Sequence, residues 1–286
     1  MENTLLQHLQ TGSTTVCRAW LVCRKDGQEF GFTDHDGDLH FDGHVFVARS
    51  GLTASAIEKT NGMAVDNTEV MGALSDISIS EQDILAGRYD SAKVTMFLVN
   101  WADVSQRLIQ FRGTFGEMTK TENSFRVELR GLTEALNIRT GRVYHSECSA
   151  VVGDKHCKID LTLPANQLEA IIGDSLAGRI FKIADTGSHP ENWFQHGRFE
   201  VKTGDGYGQV GRIKSDRIDG GTRTVELWNS FGVPPKEGDS VRLIVGCDKH
   251  GSTCLSKFDN YLNFRGFPHI PGDDWLRATP SSSRGR

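Results

Sequence analysis

The stretch "GCDKHGSTCLSKFDNYLNFRGFPHIPG", residues 246–272, places two cysteines among glycines, aromatic residues and prolines. Cys247 and Cys254 are separated by six residues, in a composition that suits neither a packed helix nor a strand. A second pair, Cys148 and Cys157, is separated by eight residues in the earlier stretch "ECSAVVGDKHC". Because irregular backbone can wrap a ligand, the two pairs are the first candidates for a shared site.

About ninety residues separate the two pairs, and their sequence pattern predicts β-strands. Three runs carry the pattern, namely "GRIFKIAD", "GRFEVKTGDGYGQVGRIKSDRIDGGTRTVELWN" and "DSVRLIVGC". If these runs form an inserted β unit, the two ends of that unit lie close together and the cysteine pairs meet. Four converging thiols then predict a metal centre, because a metal balances the charge of the thiolates.

The spacing leaves the kind of centre open. Structural zinc sites favour cysteines separated by roughly two to four residues, and neither pair fits. A four-iron cluster is larger than a zinc ion, so its ligands stand further apart and wider spacings are tolerated. The third alternative is no metal, with two disulfides formed in an assembled particle or four unrelated thiols. The neighbouring His145, His156 and His250 are candidate substitute ligands.

The composition is that of an ordinary globular protein of 286 residues, 37% hydrophobic and 24% charged. With 31 glycines and 7 prolines, many turns and short strands are expected. The net charge of -5 gives no bulk basic footprint for nucleic acid or anionic lipid. The start "MENTLLQHLQTG" lacks a secretory signal, and the apolar run "VTMFLVNWA" is too short to span a bilayer. The sequence therefore predicts synthesis in the cytosol, where unligated cysteines stay reduced.

The first half of the chain predicts a β-rich unit with short helices. Helical patterns cover residues 3–12 and 132–137, and a third begins at Ser80, with Asp83 as its capping partner and Gly87 as its stop. "SAKVTMFLVNW" predicts a strand, and "FRGTFGEMTKTENSFRVELRG" predicts a hairpin that turns at "TEN".

Two further cysteines lie on the first predicted strand. Cys17 and Cys23 share one apolar face with Ala19 and Leu21, by the two-residue period of a strand. Both are therefore predicted to be core residues rather than ligands.

Two short motifs are interpreted as turns. "TDHDGD" holds Asp34, Asp36 and Asp38 at alternate positions, but the glycine and glutamate of a calcium loop are missing, so a turn with capped amides is favoured. "GYGQVG", residues 206–211, matches a dinucleotide fingerprint but lies between two predicted strands, which indicates a hairpin. No persuasive catalytic constellation appears in the sequence.

Several long segments resemble one family. They are "FGFTDHDGDLHFDGHVF", "AVDNTEVMGAL", "FRGTFGEMTKTENSFRVELRGLTEALN", "GRVYHSECSAVVGDKHCKID" and the 246–272 stretch. Together they resemble the tail hub proteins of long-tailed phages and gene transfer agents, with a DUF2163 amino-terminal part and a BR0599-type carboxy-terminal part. The resemblance spans about residues 5–272.

The resemblance implies a structural protein of the tail tip or baseplate in the virion or gene transfer agent particle, and not an enzyme. A tail-delivered redox enzyme or cell-wall hydrolase is the alternative. The implied partners are copies of itself in a homotrimeric ring, the distal tail protein, the central tip or fibre protein and a tail peptidase. DNA is expected to pass through the channel without specific binding, and no membrane span is expected.

The resemblance also implies a cofactor, since the lambda-type tail-tip protein of similar role carries an iron–sulfur cluster. Carried over by position, the expected ligands of a 4Fe-4S cluster, with zinc as the alternative metal, are Cys148, Cys157, Cys247 and Cys254. Phe258, Phe264 and Phe267 are expected to shield the cluster from solvent.

The expected fold is mainly β, with two barrel-like or sandwich-like hub domains and a small irregular metal-binding lobe rich in cysteine. The hub domain is expected over residues 1–145 and the inserted β-barrel-like unit over 163–245. The lobe is expected to combine residues 146–162 with 246–275, followed by a flexible tail over 276–286.

Overall fold

The computed structural model describes residues 2–48, 53–54, 67–73, 80–120, 124–131 and 141–270. The chain divides into two compact units, residues 1–139 and 140–286. The helical pattern at 132–137, the turn at 121–123 and the predicted tail lie outside the described residues.

The first unit is built on one nine-stranded sheet. Its strand order is β3-β4-β2-β1-β7-β8-β9-β6-β5. Neighbouring strands are antiparallel except for β2 and β4, which run parallel. The strands are β1 Val16–Cys23, β2 Glu29–Thr33, β3 Leu39–Phe41, β4 His44–Val47, β5 Thr53–Ala54, β6 Asn67–Ala73, β7 Lys93–Asn100, β8 Arg107–Lys120 and β9 Ser124–Gly131.

Two short helices accompany this sheet, α1 Glu2–Leu9 and α2 Glu81–Leu85. The side chain of Ser80 accepts a hydrogen bond from the Asp83 amide, so the predicted cap is confirmed. Gly87 follows the helix with a φ of 69°, the left-handed backbone that glycine adopts without strain.

Both faces of β1 are buried, which explains its nearly continuous apolar sequence. Trp20 and Val22 pack in one core, while Cys17 and Ala19 pack in another. The prediction for Cys17 is confirmed, since it is only 8% exposed. Cys23 is half-buried rather than core, because it ends the strand, where its Sγ lies 3.4 Å from Glu29.

The aspartates of "TDHDGD" bind backbone amides. Asp34 accepts a hydrogen bond from the Arg18 amide at 2.6 Å, and Asp38 accepts one from Ala48 at 2.8 Å. This matches the turn interpretation of the motif.

The second unit contains a closed six-stranded barrel in the order β10-β11-β14-β13-β12-β15. Its strands are β10 Gln167–Leu176, β11 Ile180–Ala184, β12 Arg198–Val201, β13 Val210–Asp219, β14 Thr222–Leu227 and β15 Ser240–Ile244. Alternate side chains point inward and form a core that includes Phe181, Phe199 and Leu243, each fully buried. Residues 206–208 form the turn between antiparallel β12 and β13, so the hairpin prediction for "GYGQVG" is confirmed.

A buried ion pair fixes the loop between β11 and β12. Arg223 and Asp216 are both fully buried and are joined at 2.7 Å and 2.8 Å. Asp216 also accepts a hydrogen bond from the Phe194 amide, and Arg223 donates to the carbonyl of His189 at 2.5 Å. The loop over residues 185–197 is thereby held against the barrel.

The fold class is confirmed as mainly β, with a closed barrel in the second unit. The first unit is a mixed sheet, because β4 returns beside β2 in parallel. In the described part of the chain, no helix is long and apolar enough to cross a membrane.

Candidate metal centre

The two ends of the barrel segment lie side by side. The amide of Val245, just after β15, donates to the carbonyl of Asn166, just before β10, at 2.9 Å. The amide of Cys148 donates to the carbonyl of Lys249 at 2.9 Å. The segments that carry the two cysteine pairs are therefore hydrogen-bonded to each other.

Cys157 lies at the end of a turn organised by one carboxylate. Asp154 accepts hydrogen bonds from the amides of Val151, His156 and Cys157. These hydrogen bonds, that from Cys157 first, lower the pKa of Asp154. The charged carboxylate thus fixes the backbone direction at Cys157.

Cys254 lies on the helix α3, Gly251–Phe258. The helix ends at Asp259 in a left-handed conformation, with a φ of 47°. The chain then turns back, so the Asn260 amide donates to the Cys254 carbonyl at 3.1 Å and the Cys254 thiol donates to the Asn260 carbonyl at 3.4 Å.

All four cysteines line one small, mostly enclosed cavity. The other lining residues are largely apolar or amide-bearing, and they are Ala150, Val152, Lys249, His250, Phe258, Asn260, Asn263 and Phe264. None of the six cysteines of the chain forms a disulfide, so the alternative of paired disulfides does not describe this structure.

Three N–H groups lie against three of the sulfurs. The Arg265 amide lies 3.3 Å from Cys148 Sγ, the Lys249 amide lies 3.4 Å from Cys247 Sγ, and Asn260 Nδ2 lies 3.8 Å from Cys157 Sγ. Donors in this position stabilise thiolates, and they tune sulfur-ligated centres.

Electrostatics in the cavity oppose the thiolate forms of Cys247 and Cys254. Burial, together with the charges of Cys247, Cys148 and Cys157, raises the pKa of Cys254 to about 11. Burial likewise raises the pKa of Cys247. The Cys247 and Cys254 thiols therefore stay protonated at neutral pH unless a cation replaces their protons.

The four cysteines share the cavity lining without forming a site for a single metal ion. Within the described ranges, no group of three or more His, Cys, Asp or Glu side chains is arranged to hold a single metal ion. A tetrahedral zinc site, with Zn–S bonds of about 2.3 Å, needs sulfurs about 3.8 Å apart. The four thiols are the donor chemistry of a thiolate-ligated centre.

The structure also places the other predicted residues. Phe258, Phe264 and His250 line the cavity, whereas Phe267, His145 and His156 do not. The Phe267 ring packs instead against the exposed Tyr144, with ring centroids 4.6 Å apart and the ring planes tilted by 53°. The Phe267 amide donates to the His145 carbonyl at 2.8 Å, so this ring lies outside the cavity lining and its shielding role stays a prediction.

Two contributors were missed from the sequence. Asn260 donates to the Cys157 carbonyl at 2.6 Å and so joins the two cysteine segments. Lys257 donates to the carbonyls of Trp193 and Gly246 at 2.6 Å and 2.9 Å. No sequence motif identifies either residue, because their contacts depend on how the chain folds around α3.

The fold and the site together define a two-unit β protein with a cysteine-lined cavity beside a closed barrel. Residues 2–160 match the family described as "Baseplate hub protein, N-terminal attachment domain". Residues 192–274 match the family described as "Phage conserved hypothetical protein BR0599". The chain belongs to the family of baseplate hub proteins.

One solved structure is similar over nearly the whole chain. A chain in "Virion of native gene transfer agent (GTA) particle" is 48% identical, with a TM-score of 0.89, and the match covers 99% of this chain and 97% of that chain. No curated protein matches the chain.

Proposed function

We propose that this protein is a structural hub of a phage-like tail baseplate and that its cysteine-lined cavity holds a structural metal centre. The hub assignment rests on the family match over residues 2–160 and on the similarity to a chain of a gene transfer agent virion. The protein is accordingly a component of the tail of such a particle.

The cavity is the observation that carries the metal proposal. Four cysteines from two distant segments line it, and three N–H groups lie against their sulfurs. The spacings of eight and six residues are wider than structural zinc sites favour, so a 4Fe-4S cluster is proposed over zinc, with Cys148, Cys157, Cys247 and Cys254 as ligands. When bound, the centre would supply cross-links that order a lobe with little apolar core of its own.

Anaerobic purification of the full chain tests the metal proposal. We expect a brown protein that contains iron and sulfide and loses its colour on oxidation or chelation. If zinc is the sole metal found, the proposed metal site stands but its assignment as an iron–sulfur cluster is wrong. A colourless protein free of metal, with all four thiols titratable, would contradict the proposal.

The hub is proposed to act as a homotrimeric ring between the distal tail protein and the central tip or fibre protein. The family resemblance supports this arrangement, and two β units repeated three times would offer six contacts to a six-fold tail tube. A tail peptidase is a further candidate neighbour. The net charge of -5 is compatible with a channel through which DNA slides without adhering.

The non-enzymatic part of this proposal is tested by complementation. A strain that lacks the chain is expected to make no complete tails, and the wild-type chain is expected to restore them. Redox activity or wall hydrolysis by the purified chain, together with normal tails in its absence, would favour the alternative of a tail-delivered enzyme.

A further inference from the structure

Lys257 occupies the junction between the cysteine-lined cavity and the barrel. It lies on α3, three residues after Cys254, and is half-buried. Its ammonium group donates to the carbonyl of Trp193 at 2.6 Å and to that of Gly246 at 2.9 Å. It therefore connects the helix that carries one site cysteine to the residue that precedes another, Cys247.

Aromatic rings complete the surroundings of the ammonium group. The Lys257 Nζ lies 4.7 Å from the centroid of the Trp193 ring and 5.4 Å from that of Phe258. Carbonyl oxygens and ring faces both favour the charged form of a lysine. Within the described residues, Lys257 forms no ion pair with a carboxylate.

Three neighbouring groups act electrostatically on Lys257. Burial lowers the pKa of Lys257, while the charges of Cys247, Asp248 and Asp216 raise it, with Cys247 first among the three. A partly buried cation without a paired carboxylate is poorly compensated. Because the ammonium group is bonded to the carbonyl of Gly246, next to Cys247, negative charge on a centre held by Cys247 would act on Lys257 together with the two carboxylates.

The barrel side of this contact is rigid. Asp216 holds both residues that flank Trp193. The Asp216 carboxylate accepts a hydrogen bond from the Phe194 amide at 2.9 Å, and the Asp216 carbonyl accepts one from the Asn192 amide at 3.1 Å. The Trp193 ring nitrogen also donates to the Ala165 carbonyl at 3.0 Å. Lys257 thus donates a hydrogen bond to a loop that is already held against the barrel.

We propose that Lys257 is a positioning residue of the cysteine site, which holds α3 to the barrel and supplies positive charge beside an anionic thiolate-ligated centre. The charge role rests on the proposed metal function of the cavity, whereas the contact role stands on the hydrogen bonds alone. Four thiolates carry more negative charge than one zinc ion or a 4Fe-4S core neutralises, so a neighbouring cation stabilises the loaded site.

The test compares Lys257→Met, Lys257→Arg and the control Lys155→Met in the full chain purified without oxygen. Methionine keeps the length and removes the charge, arginine keeps the charge, and Lys155 is exposed in the same lobe. The rate of metal release to a chelator is measured, together with amide exchange across α3 and residues 190–197. A redox titration of the visible spectrum adds a readout that packing alone would not move.

Lys257→Met is expected to release metal about tenfold faster, because a close unscreened charge is lost, and to have a lower reduction potential. Lys257→Arg and Lys155→Met are expected to stay within about twofold of wild type. Release and potential that stay unchanged in Lys257→Met, or that change equally in Lys257→Arg, would overturn the charge role.

Failure of the metal proposal gives a different result. If the wild-type chain holds no metal, the proposed function of the cavity fails, and the charge role fails with it. Amide exchange then tests the contact role on the metal-free protein. Faster exchange across α3 in Lys257→Met, with Lys257→Arg like wild type, supports the contact role, and unchanged exchange overturns it.

Discussion

At the scale of single residues, the proposed site predicts that the cysteines of the cavity are not equivalent to the others. Cys254→Ser is expected to lose the bound metal and to lower the free energy of unfolding of the second unit by at least about 2 kcal/mol. Cys148→Ser, Cys157→Ser and Cys247→Ser are expected to behave alike and to hinder particle assembly. Metal analysis and denaturant unfolding measure both effects.

Cys23→Ser is the matched control, because Cys23 is a half-buried thiol outside the cavity. It is expected to change the unfolding free energy by no more than about 0.5 kcal/mol. If Cys254→Ser behaves like Cys23→Ser, the cavity holds nothing that depends on its thiols.

Asp154 makes a second residue-scale prediction, since it organises the turn before Cys157. Removing its carboxylate leaves three amides without their acceptor, so Asp154→Ala is expected to cost about 1–2 kcal/mol in unfolding free energy. Glu147→Ala, at an exposed position in the same lobe, is the control. A loss equal to that of Glu147→Ala would contradict the role of Asp154.

The Asp154 effect has a defined pH dependence. The pKa of Asp154 is lowered in the folded state, so its stabilisation is fully present above the ordinary aspartate pKa of about 3.9. The stabilisation is lost as the pH falls through the lower, folded-state pKa. The difference between wild type and Asp154→Ala should therefore be constant from pH 7 to pH 5 and shrink below about pH 4.

At the scale of elements, the barrel depends on the buried pair of Arg223 and Asp216. Arg223→Met leaves the fully buried Asp216 carboxylate without its main partner, so a loss of about 3–5 kcal/mol in unfolding free energy is expected. The double variant Asp216→Asn with Arg223→Met is expected to recover part of that loss, because no buried charge remains. A loss below about 1 kcal/mol in Arg223→Met, measured by denaturant unfolding, would contradict this account.

Strand patterns and cysteine spacing predicted much of the architecture. The pairing of β8 with β9 and the hairpin at residues 206–208 follow from local alternation and turn chemistry. The approach of the two cysteine pairs follows from the barrel segment between them. The strand order within the barrel does not follow, because it places β14 beside β11 and β15 beside β12, which are not consecutive in sequence.

The contacts around the cavity could not be predicted from the sequence for a similar reason. Gly246 shows why: a Cβ there would lie 1.7 Å from the Gln195 carbonyl oxygen, so only glycine lets the barrel loop approach Cys247. That approach brings Trp193 within reach of Lys257. No local pattern encodes a contact between segments about fifty residues apart.

At the level of the whole molecule, the chain combines the fold of a baseplate hub protein with a cysteine-lined cavity in its second unit. The proposed ring requires the two β units to contact neighbours while the cavity keeps its lobe ordered. Changes in the cavity should therefore appear as assembly defects rather than as lost catalysis.

A reconstruction of intact particles would report the position of the hub, its copy number and the content of its cavity together. The account predicts three copies of this chain in a ring around the channel at the tail baseplate, with strong density joining the sulfurs of Cys148, Cys157, Cys247 and Cys254. Absence of the chain from the tail, or a ring whose four cysteines surround no density, would contradict it.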